Sequence, residues 1–350
     1  MSFHSISSSK PDAAQSNEVH TSGDHTAVAK VPQSPINKRR RFRWLGRVVV
    51  LLVGLILVGT IYESVSEAAD IQAYPPLGQM VDVGGYRLHI NCTGTGSPTV
   101  VIDAGLGGWS LTWNSVQEGV AKTTRVCTYD RAGMGYSEAS PLPRDAQRFA
   151  HELHTLLERA NVEGPYVLVG HSLGGLTVRI FAHAYPTEVA GLVLIDSMSP
   201  SQMTQPSADI APQTSYQPSA FSLPFFLGRI GLVRLLAEPL GLIQHLPAET
   251  QPAYAAFAVT PQTTQTFVDE FSNIQVSLAQ AGAVSSFGDL PLIVLTAVLN
   301  QQANWQTMQT ELLLLSSNSQ QMMVDSGHEI ETDRPEAAVA AIATMVSQIR

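Results

Sequence analysis

From about Leu77 to the C-terminus, short apolar runs of strand length alternate with longer stretches of helical periodicity. Several of these runs are apolar at nearly every position, which is typical of strands that are buried on both faces. The clearest are Thr99–Ala104, Tyr166–Gly170, Gly191–Asp196 and Leu292–Ala297. Strands that alternate with helices predict an α/β domain at 77–350, with a mostly parallel central sheet and helices on both faces.

This alternation is interrupted once, between the strands Gly191–Asp196 and Leu292–Ala297. Connections between neighbouring parallel strands are normally short, whereas residues 197–289 fill this one. Two parts of the segment, Phe225–Ile243 and Phe267–Ala279, have apolar residues at helical spacing. We therefore predict an inserted helical cap at about 197–289, over the C-terminal edge of the sheet.

The N-terminal segment has a different composition. Residues 1–43 are polar and end in the basic run Lys38–Arg43, so we expect a disordered basic tail. Residues 44–62 contain one arginine and an uncharged run from Val48 to Tyr62. As a helix this segment is about 29 Å long, close to the thickness of the bilayer core. The sequence therefore predicts a transmembrane helix at 44–62 and a linker at 63–76.

Two alternatives exist for this apolar segment. A buried core helix is disfavoured because such helices are rarely uncharged on all sides. A cleavable signal peptide fits the basic flank, with Ser66-Glu67-Ala68 as an acceptable cleavage site, and the product would be a secreted protein. The length of the apolar run favours an uncleaved, single-pass anchor. The positive-inside rule then places the N-terminus in the cytoplasm and the large domain outside it.

Charge is unevenly distributed along the chain. Residues 1–62 carry eight basic and three acidic residues, whereas the remainder carries twelve basic and twenty-six acidic residues. An acidic globular domain repels phosphate backbones, so nucleic acid is not expected as a partner. The basic cluster instead flanks the predicted anchor, and membrane lipid is the partner expected there.

A candidate nucleophile lies in the pentapeptide GHSLG at residues 170–174, which fits the pattern G-x-S-x-G. The pattern alone is weak, but a strand precedes it and a helix follows it. The two glycines allow a sharp turn that exposes the hydroxyl of Ser172, and they let strand and helix approach closely. The helix N-terminus also places the N–H of Leu173 beside the hydroxyl, where it can face a developing oxyanion.

A serine nucleophile needs a general base, and imidazole is suited to that role near neutral pH. Of ten histidines, most lie in the tail or on predicted strands and helices with no motif around them. His171 flanks Ser172, but we expect its side chain to point away from the hydroxyl. His328 follows the strand-like run Gln321–Asp325, and a loop at that end of a late strand can reach Ser172. We therefore predict His328 as the base.

Four motifs occur in order at suitable intervals: the turn Asp103–Gly108, DRAGMGYS at 130–137, GHSLG, and SGH at 326–328. Together they resemble the α/β-hydrolase family, from about residue 77 to the end. The oxyanion hole of that family combines the N–H after the nucleophile with one from the turn after the third strand. The resemblance assigns these roles to Leu173 and Leu106. This chain departs from many relatives by having Ala104-Gly105 in place of His-Gly.

The resemblance leaves two places for the acid that orients the base. Many members carry it after the seventh strand, but residues 298–305 here contain no carboxylate, and Asn300 cannot stabilise imidazolium charge. Other members carry it after the sixth strand, where Asp196 ends this chain's matching run. The chain order Ser172, Asp196, His328 fits nucleophile, acid and base. A turn-capping role is the alternative for Asp196, and Asp130 is expected to hold its own glycine-rich loop.

The resemblance implies a serine hydrolase that cleaves carboxylic esters or related acyl bonds through an acyl-enzyme, without a metal or organic cofactor. An apolar cap favours a small-molecule substrate with an apolar acyl or alcohol group. Relatives that open epoxides or remove halide use an aspartate nucleophile, which Ser172 argues against. The alternatives are peptide, carbon–carbon or peracid chemistry on the same fold, or a non-catalytic binding module anchored in a membrane.

The two cysteines, Cys92 and Cys127, lie in strand-like runs. The family's strand order places the second strand beside the fourth, so the resemblance implies that they face each other and form a disulfide. Neighbouring strands are about 4.8 Å apart, which suits a bridge. A disulfide requires an oxidising compartment, in agreement with the predicted topology. Two buried free thiols are the alternative.

Overall fold

A computed structural model describes residues 38–203, 222–243, 246–300, 302 and 304–350. Most of the predicted tail, 1–37, and parts of the predicted cap lie outside the described residues. The chain has two units. In the first, residues up to Val50, the described part is the beginning of helix α1. The second, Leu51–Arg350, contains the remainder of α1 and everything that follows.

An eight-stranded sheet forms the centre of the second unit. Its strands run in the order β1-β2-β4-β3-β5-β6-β7-β8. They are β1 Gln79–Asp82, β2 Arg87–Thr93, β3 Thr99–Asp103, β4 Val126–Tyr129, β5 Tyr166–His171, β6 Val189–Ile195, β7 Leu292–Ala297 and β8 Ser319–Val324. β2 pairs antiparallel with both β1 and β4, whereas all pairs from β4 to β8 are parallel. The predicted mostly parallel α/β sheet is confirmed.

Helices cover both faces of this sheet. The helices are α1 Lys38–Ala73, α2 Asn114–Val120, α3 Ala146–Arg159, α4 Leu173–Ala184, α5 Leu223–Arg229, α6 Leu232–Ala237, α7 Gln251–Ala258, α8 Pro261–Ser272, α9 Ile274–Gly282, α10 Trp305–Glu311, α11 Ile330–Asp333 and α12 Pro335–Ile349. α3 and α4 pack on one face, and α2 and α12 pack on the other. β3, β5 and β7 are buried along their whole length, which explains why their sequences are apolar instead of alternating.

The segment between β6 and β7 contains α5 to α9 in its described part. The apolar periodicity at Phe225–Ile243 corresponds to two short helices instead of one. Gly231 separates them, and its φ of +70° is a conformation that favours glycine and interrupts an α-helix. α9 packs against α3 and α4, and α5 packs against α8. The cap is therefore joined to the main domain through α9, whereas the contact between α5 and α8 lies within the cap.

Helix α1 extends beyond the predicted span 44–62 at both ends. It includes residues 38–43, which were assigned to the tail, and most of the predicted linker 63–76. The additional residues at its C-terminal end, ESVSEAADIQA, contain good helix formers, and several of them contact α5 and α6. Within this helix, Arg40–Ala73 is long and apolar enough to cross a membrane.

Cys92 and Cys127 form a disulfide between β2 and β4. They occupy directly opposed positions in the antiparallel register of these strands, with Cα atoms 4.0 Å apart. The predicted pairing is confirmed, and it ties the antiparallel edge of the sheet to the parallel part.

Candidate active site

Ser172 stands in a sharp turn between β5 and α4, with φ 49° and ψ −117°. This strained conformation places the side chain above the carboxyl end of the sheet. Glycines on either side make the turn possible. A Cβ at Gly170 would lie 2.6 Å from the Gly174 carbonyl oxygen, and one at Gly174 would lie 2.3 Å from that of Asp103. A larger residue at position 170 would push α4 away from β5, and one at position 174 would push α4 away from the end of β3.

His328 lies in the loop after β8 and reaches Ser172 from the side. Its Nε2 is 3.0 Å from Oγ of Ser172, and its Nδ1 is 2.6 Å from Oδ2 of Asp196. A carboxylate only accepts hydrogen bonds, so Nδ1 carries the proton and donates it to Asp196. Nε2 then presents a lone pair to the Ser172 hydroxyl. The structure thus brings together the three residues that the sequence analysis selected.

Asp196 follows β6 and is fully buried. Besides His328, its carboxylate accepts hydrogen bonds from the Trp305 indole at 2.7 Å, the Ala297 N–H at 2.9 Å and the Asn300 amide at 2.9 Å. Burial raises the pKa of Asp196, but these hydrogen bonds outweigh it, so the pKa lies below its ordinary value. The group is therefore a carboxylate at neutral pH.

The sequence analysis did not identify Trp305 as part of this site, and it considered Asn300 only as a substitute for the acid. Both residues follow β7, the neighbour of β6, so their side chains can reach the end of β6. The sequence signal that could have indicated this role is that the segment after β7 contains an asparagine and a tryptophan but lacks the expected carboxylate. They hold the carboxylate that comes from the adjacent strand.

The acid also affects the base. Burial lowers the pKa of His328, whereas the hydrogen bond and the negative charge of Asp196 raise it, and the net shift is upward. An imidazole with a raised pKa binds a proton more strongly. The arrangement therefore favours the imidazolium that forms when the Ser172 proton is transferred.

The two predicted oxyanion donors lie on either side of Ser172. Leu173 is the first residue of α4, so its N–H has no acceptor within the helix. Leu106 lies in the turn after β3, and within the described residues no hydrogen bond occupies its N–H. Gly105 lets that turn come close, since a Cβ there would lie 3.2 Å from the Ser172 Cβ.

A buried arginine fixes this turn. Arg131 donates hydrogen bonds to the carbonyl oxygens of Ala104 at 2.6 Å and Gly105 at 2.7 Å. The same guanidinium pairs with Asp103 at the end of β3 and with Glu270 of α8. Arg131 belongs to the DRAGMGYS motif, but the sequence analysis gave it no role. It connects the cap, the sheet and the turn that contains Leu106.

Asp130 holds the glycine-rich loop, as the sequence analysis expected. Its carboxylate accepts hydrogen bonds from the N–H groups of Ser110 at 2.8 Å and Tyr136 at 2.9 Å. It also contacts the His89 ring at 3.0 Å. These bonds join the loop after β4 to the loop after β3, next to the candidate oxyanion turn.

A cavity of about 520 Å³ opens at Ser172 and His328. Its lining includes apolar and aromatic side chains of the cap and of the loop after β3, among them Leu106, Trp109, Tyr254, Leu242 and Phe267. It also includes the polar groups His171, Glu329 and Glu331. The Ser172 hydroxyl is therefore in a cavity that is mainly apolar and has a few polar groups.

His171 lies beside His328 and lines the cavity. Its ring centre lies 4.7 Å from that of His328, and its Nε2 donates to the His328 carbonyl oxygen at 3.0 Å. Burial and the charge of His328 lower the pKa of His171 to about 4, so the ring is neutral. Its position supports the backbone of the base.

Among the described residues, one group of ligand-type side chains is spaced for a metal ion: His171, Glu329 and Glu331, with ligand atoms within 4.8 Å of one another. Burial, and after it the charge of Glu329, raise the pKa of Glu331 well above its ordinary value. Oε1 of Glu331 lies 3.5 Å from Nδ1 of the neutral His171 ring. The raised pKa of Glu331 favours a protonated carboxyl group, which is a poor metal ligand, and we assign no metal to the group.

A family model described as "alpha/beta hydrolase fold" matches residues 98–287. The chain belongs to the α/β-hydrolase family. Solved structures of this fold are similar over most of the α/β-hydrolase domain. The epoxide hydrolase CorEH has a TM-score of 0.60 at 17% identity, covering 78% of this chain and 99% of that one. The enol-lactonase from Burkholderia xenovorans LB400 has a TM-score of 0.58 at 18% identity, covering 77% and 100%.

Relatives at the sequence level differ in length from this α/β hydrolase. The uncharacterized protein YqjL of Bacillus subtilis is 26% identical over 255 residues, which are 71% of this chain and 83% of that protein. The probable transporter efuK of Hormonema carpetanum is 33% identical over 126 residues, 34% of this chain but 18% of its own. The uncharacterized vacuolar membrane protein YNL115C of Saccharomyces cerevisiae is 31% identical over 130 residues, which are 32% of this chain and 20% of that protein. The chain thus spans about a fifth of the length of two of these relatives.

Proposed function

We propose that this α/β hydrolase is a serine hydrolase that cleaves carboxylic esters or related acyl bonds. The observation that carries the proposal is the continuous chain of hydrogen bonds from the Ser172 hydroxyl through the His328 ring to the Asp196 carboxylate. Distances of 3.0 and 2.6 Å are within the range for proton transfer to a general base and for its orientation by an acid.

In the proposed reaction, Oγ of Ser172 attacks the carbonyl carbon of the substrate while its proton moves to Nε2 of His328. The carbonyl oxygen becomes an oxyanion, and the N–H groups of Leu173 and Leu106 donate to it. The tetrahedral intermediate collapses, and His328 gives its proton to the departing alcohol. Asp196 remains ionised and stabilises the imidazolium in between.

The acyl-enzyme is then hydrolysed by the same groups in reverse. His328 takes a proton from a water molecule, whose oxygen attacks the acyl carbon. Collapse of the second tetrahedral intermediate returns the proton to Oγ of Ser172 and releases the carboxylic acid. Every proton transfer uses groups that lie around the cavity, and no step calls for a metal or an organic cofactor.

The substrate class is inferred from the cavity. Its largely apolar lining, which includes Trp109, Tyr254 and Phe267, supports a substrate with an apolar acyl or alcohol group. The similar solved structures include an epoxide hydrolase and an enol-lactonase, so the fold alone does not define the reaction. A serine at the nucleophile position favours acyl chemistry, because an aspartate is needed to open epoxides by an alkyl-enzyme.

We further propose that helix α1 anchors the enzyme in a membrane, with the N-terminus cytoplasmic and the α/β domain outside the cytoplasm. Support comes from the apolar span Arg40–Ala73, the membrane location of the vacuolar relative, and the disulfide, which needs an oxidising compartment. The basic run Lys38–Arg43 sets the orientation. Signal-peptide cleavage would instead release the domain, and N-terminal sequencing of mature protein near residue 69 would reveal it.

Ser172→Ala tests the proposed activity. We expect it to abolish labelling by a fluorophosphonate probe and to lower ester hydrolysis by about 10⁴-fold or more, because the nucleophile is lost. Ser347→Ala is a matched control, since Ser347 is exposed on α12 and its hydroxyl donates to the Ala343 carbonyl oxygen of the same helix. The control should retain both signals.

A panel of model esters and peptides completes the experiment. Retention of ester hydrolysis by Ser172→Ala within a few-fold of wild type would disprove the assignment of the nucleophile. Probe labelling of wild type with turnover of peptides and none of esters would identify a different serine chemistry. Absence of labelling in folded wild-type protein would favour a non-catalytic binding module.

A further inference from the structure

The described cap contacts the end of the apolar helix directly. The turn between α5 and α6 packs against α1 so closely that a Cβ at Gly59 would lie 2.3 Å from the carbonyl oxygen of Ile230. One turn further along, a Cβ at Gly231 would lie 2.9 Å from the Tyr62 ring. Gly59 and Tyr62 belong to the last turn of the uncharged run. The turn Ile230–Gly231 therefore lies at the boundary where this run ends.

Charged residues fix the cap at that level. Arg234 of α6 donates to both carboxylate oxygens of Glu63 at 2.9 Å and to Asp70 at 2.8 Å. Arg229 of α5 lies 3.4 Å from Glu67. These acidic residues are the first charges that follow the apolar run, so they mark the interface between bilayer and water. The cap is thus attached to the helix immediately outside the hydrocarbon region.

Beside these attachments the cap exposes large apolar side chains. Leu235, Leu236, Leu240 and Leu242 are between 42% and 66% exposed, and all lie within the thirteen residues that follow Arg229. Water-facing surfaces rarely carry so dense a group of leucines. We refer to these four residues as the leucine patch.

The leucine patch is continuous with the cavity at Ser172. Leu242, at its end, lines that cavity together with Phe267 of α8. Phe267 is itself 43% exposed and lies against the oxyanion turn, 3.0 Å from where a Cβ on Gly107 would be. One short segment of the cap, 229–242, therefore connects the membrane-level contact at one end with the cavity wall at the other.

We propose that the leucine patch rests in the bilayer surface and that the substrate is a long-chain lipid ester, which enters the cavity directly from the membrane between Leu242 and Phe267. This inference rests on the proposed acyl hydrolysis at Ser172, whose substrate class it names, and on the proposed anchoring by α1. The acyl chain moves from the lipid of the bilayer to the apolar wall of the cavity, so it does not have to cross water. The ester carbonyl then reaches Ser172 at the inner end of the path.

The bilayer is the occupant that the contacts favour over a protein partner. Arg229 and Arg234, the basic residues nearest the patch, are already paired with carboxylates of α1, so they offer no charge pattern to a partner. The same pairs keep the patch beside the point where the apolar run ends. With α1 as the proposed anchor, a lipid surface lies at this level, whereas a protein partner would have to displace it.

Fluorescence tests the membrane contact independently of activity. The full chain carrying Leu240→Cys, labelled with the environment-sensitive NBD fluorophore, is reconstituted in phosphatidylcholine vesicles. We expect a blue-shifted emission that a lipid-soluble quencher reduces. Leu314→Cys is the matched control, because Leu314 is 81% exposed but lies near the amino ends of the strands, opposite the cap. Its label should emit as it does in water, and the same water-like emission from position 240 would overturn the proposal.

Kinetics test the route of the substrate. We expect the double variant Leu235→Gln/Leu240→Gln to lower kcat/KM about tenfold for 4-methylumbelliferyl oleate in vesicles, and to leave 4-nitrophenyl acetate in water within about twofold of wild type. Leu314→Gln should change neither rate. Equal losses on both esters, or no loss on either, would contradict membrane entry.

The two experiments separate this inference from the proposed function. If wild type hydrolyses neither ester, the acyl chemistry fails, and the fluorescence result still decides whether the patch meets the bilayer. If the label at position 240 is shielded in native membranes but not in pure lipid vesicles, a protein covers the patch and the bilayer proposal is wrong.

Discussion

Four hydrogen bonds converge on the carboxylate of Asp196, and they explain how a carboxylate that follows β6 can stay ionised beside the imidazole of His328 from the loop after β8. The indole of Trp305 and the N–H of Ala297 both donate to Oδ1, while Asn300 and His328 share Oδ2. A buried carboxylate with this many donors remains ionised in spite of its burial. The loop after β7 therefore contributes donors where many relatives have the acid itself.

Asp196→Asn should lower kcat by about 10⁴-fold, because an amide favours the wrong tautomer of His328 and does not stabilise its charge. Asn300→Ala removes one of several donors to the same carboxylate, and we expect a loss of about tenfold or less. Ester hydrolysis by both variants, with folding checked by circular dichroism, measures the difference. A nearly silent Asp196→Asn would mean that the acid lies elsewhere.

The pH profile gives this prediction a second measurement. His328 accepts a proton only when neutral, so the acid limb of kcat/KM reports its pKa in the free enzyme. Asp196 raises that pKa, so the wild-type limb should lie above the ordinary histidine value of 6.5. In Asp196→Asn the limb should move to lower pH. If the acid limb does not move, Asp196 does not determine the pKa of His328.

At the scale of secondary-structure elements, α1 combines two tasks. Its first part has the composition of a membrane span, and its last part supplies the carboxylates that receive α5 and α6 of the cap. Glu63, the residue directly after the apolar run, is fully buried and accepts hydrogen bonds from Arg234. A flexible linker at this position would leave the cap free to move relative to the helix.

Glu63→Gln should lower the free energy of unfolding by about 1–3 kcal/mol, because it leaves the partly buried Arg234 without one of its two charged partners. Glu67→Gln is the matched control. Its pair with Arg229 is longer, at 3.4 Å, and more exposed, so we expect a change below about 1 kcal/mol. Thermal unfolding of both full-length variants in one detergent measures the difference. Equal stability of the two would show that the Glu63–Arg234 pair does not hold the cap.

The strands and the three residues at the site could be predicted because their signals are local. Most of the parallel strands are short apolar runs, although β8, Ser319–Val324, is half polar, and Ser172 and His328 lie in recognisable turns at strand ends. The extension of α1, the role of Arg131 and the donors to Asp196 depend on partners far along the chain. Arg131 meets Glu270 across 139 positions, and no local pattern indicates such a pair.

The cap shows the same limit. Periodicity indicated helices in Phe225–Ile243 and Phe267–Ala279, but it did not show that they break at Gly231 and Asn273. Short amphipathic helices obtain most of their stability from packing, so their ends depend on neighbours such as α1 and α4. The hydrogen bond from His171 to the carbonyl oxygen of His328, 157 positions along the chain, is likewise indicated by no local pattern.

At the scale of the whole molecule, two features constrain the compartment of the α/β domain. The disulfide joins β2 to β4, and cytosolic thiols are normally kept reduced. The basic run Lys38–Arg43 begins α1 and precedes its apolar part, and the positive-inside rule independently predicts from it that the domain faces away from the cytoplasm. The disulfide depends on the redox potential of the compartment, whereas the orientation depends on how α1 inserts in the membrane. Each feature is therefore an independent test of the compartment that the other predicts.

Protein isolated in its native cell envelope, denatured and alkylated before any reduction, should show neither Cys92 nor Cys127 modified, because both are in the disulfide. Mass spectrometry after reduction and a second, isotopically distinct alkylation measures this directly. The bridge encloses a separation of 35 residues and should contribute roughly 3–4 kcal/mol to stability in the chain-entropy model. Cys92→Ser/Cys127→Ser should therefore unfold at lower urea concentration than wild type, with the Cys92→Ser single variant as the control for an unpaired thiol. Both cysteines fully alkylated in the first step would mean that the domain faces a reducing compartment, and the orientation assigned from the basic run would then be wrong.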